Sequence, residues 1–262
     1  MKGINLLPLI PVRVEPDERK EMVTQILFGE TFEIIDKLPK WYKIKSDFDG
    51  YEGWVDAKMV IPIEDENEYR KIIHSEKYIP VQTINVIRNN TTKQNMLIPS
   101  GSTLPNFDKK DRSFIIFGDY YYYYESVIEV EFVYENKKVL SAVAKKYLNA
   151  PYLWGGRTYW GIDCSGFSQV VYKIMGVSIP RDAKEQAKVG LDLISFIDIQ
   201  TGDLAFFGNN ENEITHVGIL LDMNTIIHAS GKVRIDIFDE KGIINKETGE
   251  LTHKLVKIKR VF

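Results

Sequence analysis

One cysteine stands out in a chain of 262 residues, Cys164, within Gly161-Ile162-Asp163-Cys164-Ser165-Gly166. A lone cysteine is either a buried small hydrophobe or a reactive thiol. Its neighbours give it a chemical setting: it follows a Gly-rich loop and opens the periodic run Cys164–Gly176, so it falls at the start of a predicted helix. Unpaired backbone N–H groups and the positive helix end favour a thiolate there and can hold a developing oxyanion. A thiol of this kind needs a base. Of the four histidines, His74 lies in a charged stretch and His253 near the C-terminus, where solvated or structural roles are expected. His216 opens the β-like run HVGILL, and His228 closes the next one, TIIHAS. A hairpin turn at Asp222-Met223-Asn224 would set them roughly opposite on one face. One imidazole then takes the thiol proton while the other accepts the first one's remaining N–H and fixes its tautomer. Two facing histidines could also ligate zinc, but no further ligands stand at suitable spacing.

The elements that must position these groups follow from periodicity. Val139, Leu140, Val143, Tyr147 and Leu148 recur at helical spacing in KKVLSAVAKKYL. Phe167, Val170, Val171 and Ile174 share one face of the helix that Cys164 opens, and Gly176 is its stop. Leu204–Phe207, Val217–Leu221 and Thr225–Ala229 read as strands. Helices followed by a small sheet describe an α+β domain over 137–262. Upstream the chain is β-like. Trp41–Lys45 and Tyr51–Val55 are strands of a first module over 1–62, and Ile84–Val86, Phe114–Phe117 and Val127–Val133 are strands of a second over 78–136. Gly29-Glu30-Thr31-Phe32 is echoed by Gly101-Ser102-Thr103-Leu104, which suggests two small barrels in tandem. The charged stretch Pro62–Lys77 reads as a linker with at most a helical turn. The five tyrosines Tyr120–Tyr124 read as strand residues alternating between core and surface, ahead of a carbohydrate or peptide platform.

Composition sets outer limits. A net charge of −3 gives no reason to expect a nucleic-acid partner. No apolar run approaches the ~20 residues a membrane helix needs. The start MKGINLLPLIPVRV, broken by Pro8 and Pro11, makes a poor signal peptide. The expectation is a cytoplasmic protein if the chain is complete as given, and an envelope or secreted one if a signal has been removed.

Residues 137–262 resemble the NlpC family of papain-like cell-wall cysteine endopeptidases. The matching pieces are Tyr152-Leu153-Trp154-Gly155-Gly156, Asp163-Cys164-Ser165-Gly166-Phe167, Ile179-Pro180-Arg181, Gly202–Phe207, His216-Val217-Gly218-Ile219 and His228-Ala229. The resemblance implies a papain-like α+β domain preceded by two SH3-like β-barrels. It makes Cys164 the nucleophile, His216 the base, His228 the polar residue that orients it, and Tyr152 a neighbour of the oxyanion. Trp154 would wall the cleft, or else be a core tryptophan. The pieces Val12–Pro16, Glu21–Gln25, Phe28–Glu30 and Asp49–Val55 resemble the first module of γ-D-glutamyl-L-diamino acid endopeptidases, which act on peptides with a free N-terminal L-alanine. That branch implies that Glu15, Tyr51 and Asp163 hold the substrate amine and that Ser165 binds a substrate carboxylate. It implies a monomer with a murein peptide as its partner and no cofactor. The rivals are an amidase or acyltransferase on the same fold, and a wall-binding protein with an inactive papain-like domain.

Overall fold

The computed structural model describes residues 1–75, 77–124, 127–128, 136–210 and 213–261. It divides into two compact units, Met1–Val130 and Glu131–Phe262. Of the expected strand Val127–Val133, only Val127–Ile128 lies among the described residues. Among those residues no helix is long and apolar enough to cross a membrane.

The first unit opens with a curled antiparallel sheet. Its strands run in the order Met22–Leu27, Leu9–Arg13, Glu52–Asp56, Trp41–Ser46, Thr31–Lys37, Lys2–Ile4, Ile61–Ile63. Alternation turns Ile10, Val12, Ile26, Phe32, Ile34, Ile44 and Val55 inward to one core. The second module repeats this order in two pieces. One piece is Asn95–Pro99, Ile84–Asn89, Asp119–Tyr123, Ser113–Ile116; the other is Leu104–Pro105, Lys77–Pro80, Val127–Ile128. The echo seen in the sequence has a structural counterpart. Gly29 and Gly101 occupy the same place in two turns, at φ 75° and 78°. Gly29 N–H donates to the Asn5 carbonyl, and Gly101 N–H to that of Pro80. The two turns also meet: Thr103 N–H donates to the Phe28 carbonyl at 2.8 Å. A Cβ on Gly29 would lie 1.8 Å from the Thr103 oxygen, so only glycine fits.

The stretch expected to be a linker is a nine-residue helix, Glu66–His74. The Asp65 side chain caps it by accepting from Asn67 N–H. Only Tyr69 and Ile72 are buried, so the charges that filled the remaining positions masked its periodicity. Both join a core that runs from Ile4, Phe28 and Ile63 to Ile87, Ile98 and Phe114, so the two modules share one interior. The tyrosine run alternates as expected, with Tyr121 and Tyr123 buried and Tyr122 and Tyr124 exposed.

In the second unit, strands Leu204–Gly208, Ile214–Asp222, Thr225–Ser230, Lys232–Asp239, Gly242–Ile244 and Leu251–Arg260 form a closed six-stranded antiparallel barrel, because the last two also pair. The short strand Leu191–Asp192 adds to its rim. Helix Lys137–Lys145 buries Leu140, Val143 and Ala144 and is capped by Asn136. Helix Cys164–Ile174 rests on strands Ile214–Asp222 and Thr225–Ser230, and Lys137–Lys145 also contacts it. All eleven of its residues are buried, whereas the sequence suggested a single apolar face. Its polar members are satisfied internally: Ser168 Oγ donates to the Cys164 carbonyl and Gln169 Nε2 to that of Ile179. Gly176, at φ 83°, follows its C-terminal turn as expected.

Candidate active site

Cys164 is the first residue of the buried helix, and Asp163 is its N-cap. The Asp163 carboxylate accepts from Gly166 N–H at 2.6 Å and from Gly155 N–H at 2.8 Å. Arg181 donates to both of its oxygens, at 3.0 and 2.6 Å. The same guanidinium donates to Ser165 Oγ at 2.8 Å, and that hydroxyl lies 3.3 Å from Asp163 Oδ1. Arg181 is 2% exposed. Loop, helix start and the segment after the helix are thus tied at one buried charge pair. A carboxylate offers about four lone-pair directions, and protein donors already occupy them. Asp163 and Ser165, which the resemblance assigned to substrate, are bonded first to the scaffold of the site; a substrate amine or carboxylate would have to share atoms already in use.

Burial pushes the Cys164 thiol up to about 12, and the neighbouring Asp163 charge adds to the rise. The N–H groups of Val217 and Ser165 and the Arg181 charge pull the other way without prevailing. This differs from the expectation of a thiolate favoured by the helix end, because desolvation outweighs the helix N–H groups. At rest Cys164 is a thiol, and a nucleophilic role would need a base.

The strand register places the two histidines diagonally. His228 pairs with Gly218 and His216 with Phe207, so 216 and 228 share a face but are not opposite. Gly218 makes the diagonal contact possible, since a Cβ there would lie 2.9 Å from His228 Cβ and 2.7 Å from Ile226 Cδ1. His216 Nε2 lies 2.8 Å from His228 Nδ1, and His228 Nε2 lies 3.0 Å from Asp236 Oδ2. Burial, and then the neighbouring His228 and His253, hold His216 well below its usual range, so it is a neutral imidazole at neutral pH. Neither Asp236 nor His253 was expected here. Asp236 is buried on strand Lys232–Asp239, and the only sequence hint is an acid in the alternating run KVRIDIF. His253 stacks on His216, with ring centroids 4.2 Å apart at 27°. Its strand is brought there by barrel closure, which local pattern does not reveal. Among the described residues no group of three or more His, Cys, Asp or Glu side chains is placed to hold a metal.

Tyr152 N–H donates to the Gly231 carbonyl beside the loop. Its phenol is lifted to about 12 by burial, then by Cys164 and Asp163, and so stays a donor near the sulfur. Trp154 is 61% exposed, which excludes the core-tryptophan role. The remaining two expected residues belong to the first unit. Glu15 is exposed and paired with Lys20 at 2.8 Å, and Tyr51 is half-buried just before strand Glu52–Asp56.

Residues 149–251 match the NlpC/P60 family, and residues 12–59 match the bacterial dipeptidyl-peptidase SH3 domain. The chain thus carries an NlpC/P60 domain preceded by a bacterial dipeptidyl-peptidase SH3 domain. It is 29% identical over 220 residues to a γ-D-glutamyl-L-lysine dipeptidyl-peptidase of Bacillus subtilis, covering 79% of this chain and 71% of that one. It is 26% identical over 260 residues to dipeptidyl-peptidase 6 of Lysinibacillus sphaericus, covering 92% and 93%. An NlpC/P60 family protein from Bacillus cereus superposes with a TM-score of 0.85 at 19% identity, over 100% of this chain and 99% of that one, which supports the fold. The second unit is therefore a papain-like NlpC/P60 peptidase domain, and the β-rich first unit includes an SH3-like module. For an NlpC/P60 enzyme the chemistry on hand is nucleophilic: a thiol at a helix start, a neutral imidazole and a second histidine behind it.

Proposed function

We propose that the protein hydrolyses the bond between γ-D-glutamate and L-lysine or diaminopimelate in murein peptides that carry a free N-terminal L-alanine. Cys164 is the nucleophile, His216 the base and His228 its orienting partner. The thiol proton passes to His216 as sulfur attacks the scissile carbonyl carbon. Tyr152 and backbone N–H groups at the helix start stabilise the oxyanion. Collapse of the tetrahedral species breaks the C–N bond, His216 returns the proton to the leaving amine, and water then hydrolyses the thioester. The observation that carries the proposal is the row His216–His228, bonded at 2.8 Å on the strands that underlie the helix opened by Cys164. The γ-D-glutamyl-L-lysine dipeptidyl-peptidase of Bacillus subtilis, to which the chain is similar, suggests the bond type. Residues 1–62 and 78–136 act as two SH3-like modules ahead of a catalytic domain over 137–262. Glu15, Tyr51 and Asp163 hold the α-ammonium, Ser165 a substrate carboxylate, and Trp154 walls the cleft. Its exposed indole supports that last role. The Lys20 contact of Glu15 and the saturated shell of Asp163 mean that these two must exchange partners on binding.

The test is mass spectrometry of products from L-Ala-γ-D-Glu-L-Lys beside its N-acetylated form. Release of L-Ala-γ-D-Glu from the free peptide only is the expected result. Equal cleavage of both would keep the peptidase and remove the amine-binding roles. Cleavage of neither would remove the peptide specificity itself.

A further inference from the structure

Asp236 enters the site from behind His228. Its carboxylate is 2% exposed and is fully engaged: Arg234 Nε donates to Oδ2 at 2.6 Å and Nη2 to Oδ1 at 2.9 Å, while Lys246 N–H donates to Oδ1 at 2.9 Å. These donors, with His228, hold the carboxyl well below the usual carboxylate range against the cost of burial. An ionised carboxylate only accepts. The 3.0 Å contact with His228 Nε2 is therefore an N–H donating to Asp236. With Nε2–H committed to Asp236, the His228 tautomer that carries a single N–H presents a bare Nδ1. That nitrogen lies 2.8 Å from His216 Nε2, which must carry the proton they share. A neutral His216 protonated on Nε2 keeps its lone pair on Nδ1.

We infer that Asp236 is a positioning residue that acts through His228 to place the His216 lone pair on Nδ1, making that atom the acceptor of the Cys164 proton. It also spreads the positive charge that appears on the pair once the proton has moved. This inference rests on the nucleophile and base assigned above. The titratable and charged groups around the row are Cys164, Asp163 and Arg181 at the helix start, His253 stacked on His216, and Arg234, with Glu247 3.7 Å beyond it. Asp236, and none of these, bonds directly to the far nitrogen of His228.

Two measurements test it. In 15N spectra of histidine-labelled wild-type enzyme without substrate, both His216 and His228 should show a protonated Nε2 and an unprotonated Nδ1. A proton on Nδ1 of either ring would overturn the inference, whatever Asp236 variants do to folding. In kinetics, Asp236→Asn should lower kcat about 10- to 100-fold with KM little changed. Removing the anion lowers the proton affinity of the imidazole pair, so the acid limb of kcat/KM should also move to lower pH. Asp236→Glu should restore part of the rate and the limb. A loss of kcat with the limb unmoved would mean a merely structural carboxylate and would overturn the inference. The spectra do not depend on turnover, so they separate failure of this relay from failure of the peptidase assignment.

Discussion

Arg181→Met removes the cation that anchors the helix start and puts a flexible apolar chain of similar length in its place. Asp163 would then keep Gly155 N–H, Gly166 N–H and the Ser165 hydroxyl but lose two charge-assisted bonds, at 3.0 and 2.6 Å. Both partners are nearly sealed from water, at 2% exposure for Arg181 and 6% for Asp163. Breaking one side of a buried pair costs about 3–5 kcal/mol, because a bare charge is left behind. Asp163→Asn should cost a similar amount by stranding Arg181. The double variant removes both charges, so its loss should fall short of the sum by about 2–3 kcal/mol. Hydrogen exchange on amides of Cys164–Ile174 reads this unit directly without requiring the whole chain to unfold in one step. At about 1.4 kcal/mol per tenfold, each single variant should speed exchange there by roughly two to three and a half decades. A loss below about 1 kcal/mol in Arg181→Met, or strict additivity in the double, would refute the pair as the anchor of the nucleophile.

Three further outcomes follow from the same geometry. Gly218→Ala would drive a methyl group against His228 and Ile226; it should cost about 1–3 kcal/mol in stability and lower kcat more than it raises KM, as steady-state kinetics will show. Burial holds His253 down at about 4 in the folded chain against an ordinary 6.5. The unfolded chain therefore binds the extra proton first, and stability is full above about pH 6.5 and lost as pH falls toward 4; urea midpoints across that window should show the slope, and His253→Gln should flatten it. Because the Cys164 thiol lies at about 12, its alkylation by iodoacetamide should rise with pH through the neutral range, with no plateau near pH 5–7. A plateau there would mean that a thiolate is already formed in the resting enzyme.

Much of the site was legible in the sequence because its parts are local. Cys164 opens a helix that Gly176 stops, and His216 and His228 flank one hairpin turn, so that a register of the right parity sets them on one face. The register itself was misjudged: the turn pairs Asp222 with Thr225 instead of centring on Asp222, and the irregularity between Leu220 and Asp222 then sets Gly218 across from His228. Asp236 and His253 escaped because their approach depends on closing the barrel through Gly242–Ile244 and Leu251–Arg260, a long-range event with no local signature. Arg181 and Asp163 were both visible as motif residues, but the ion pair between them, eighteen residues apart, was not. Helix Glu66–His74 was hidden because only Tyr69, Ile72 and Ile73 of its nine residues pack on a core. The protonated thiol could not be read from position alone, since it follows from burial that only the folded domain creates.

The most direct test of Cys164 as the nucleophile is the rate of lysine release from L-Ala-γ-D-Glu-L-Lys by Cys164→Ala, a variant that removes one sulfur atom and should leave the fold intact. Loss of turnover by on the order of 10⁴-fold or more, with near-wild-type hydrogen exchange in Cys164–Ile174, is the expected result. Lysine release within tenfold of wild type would contradict it.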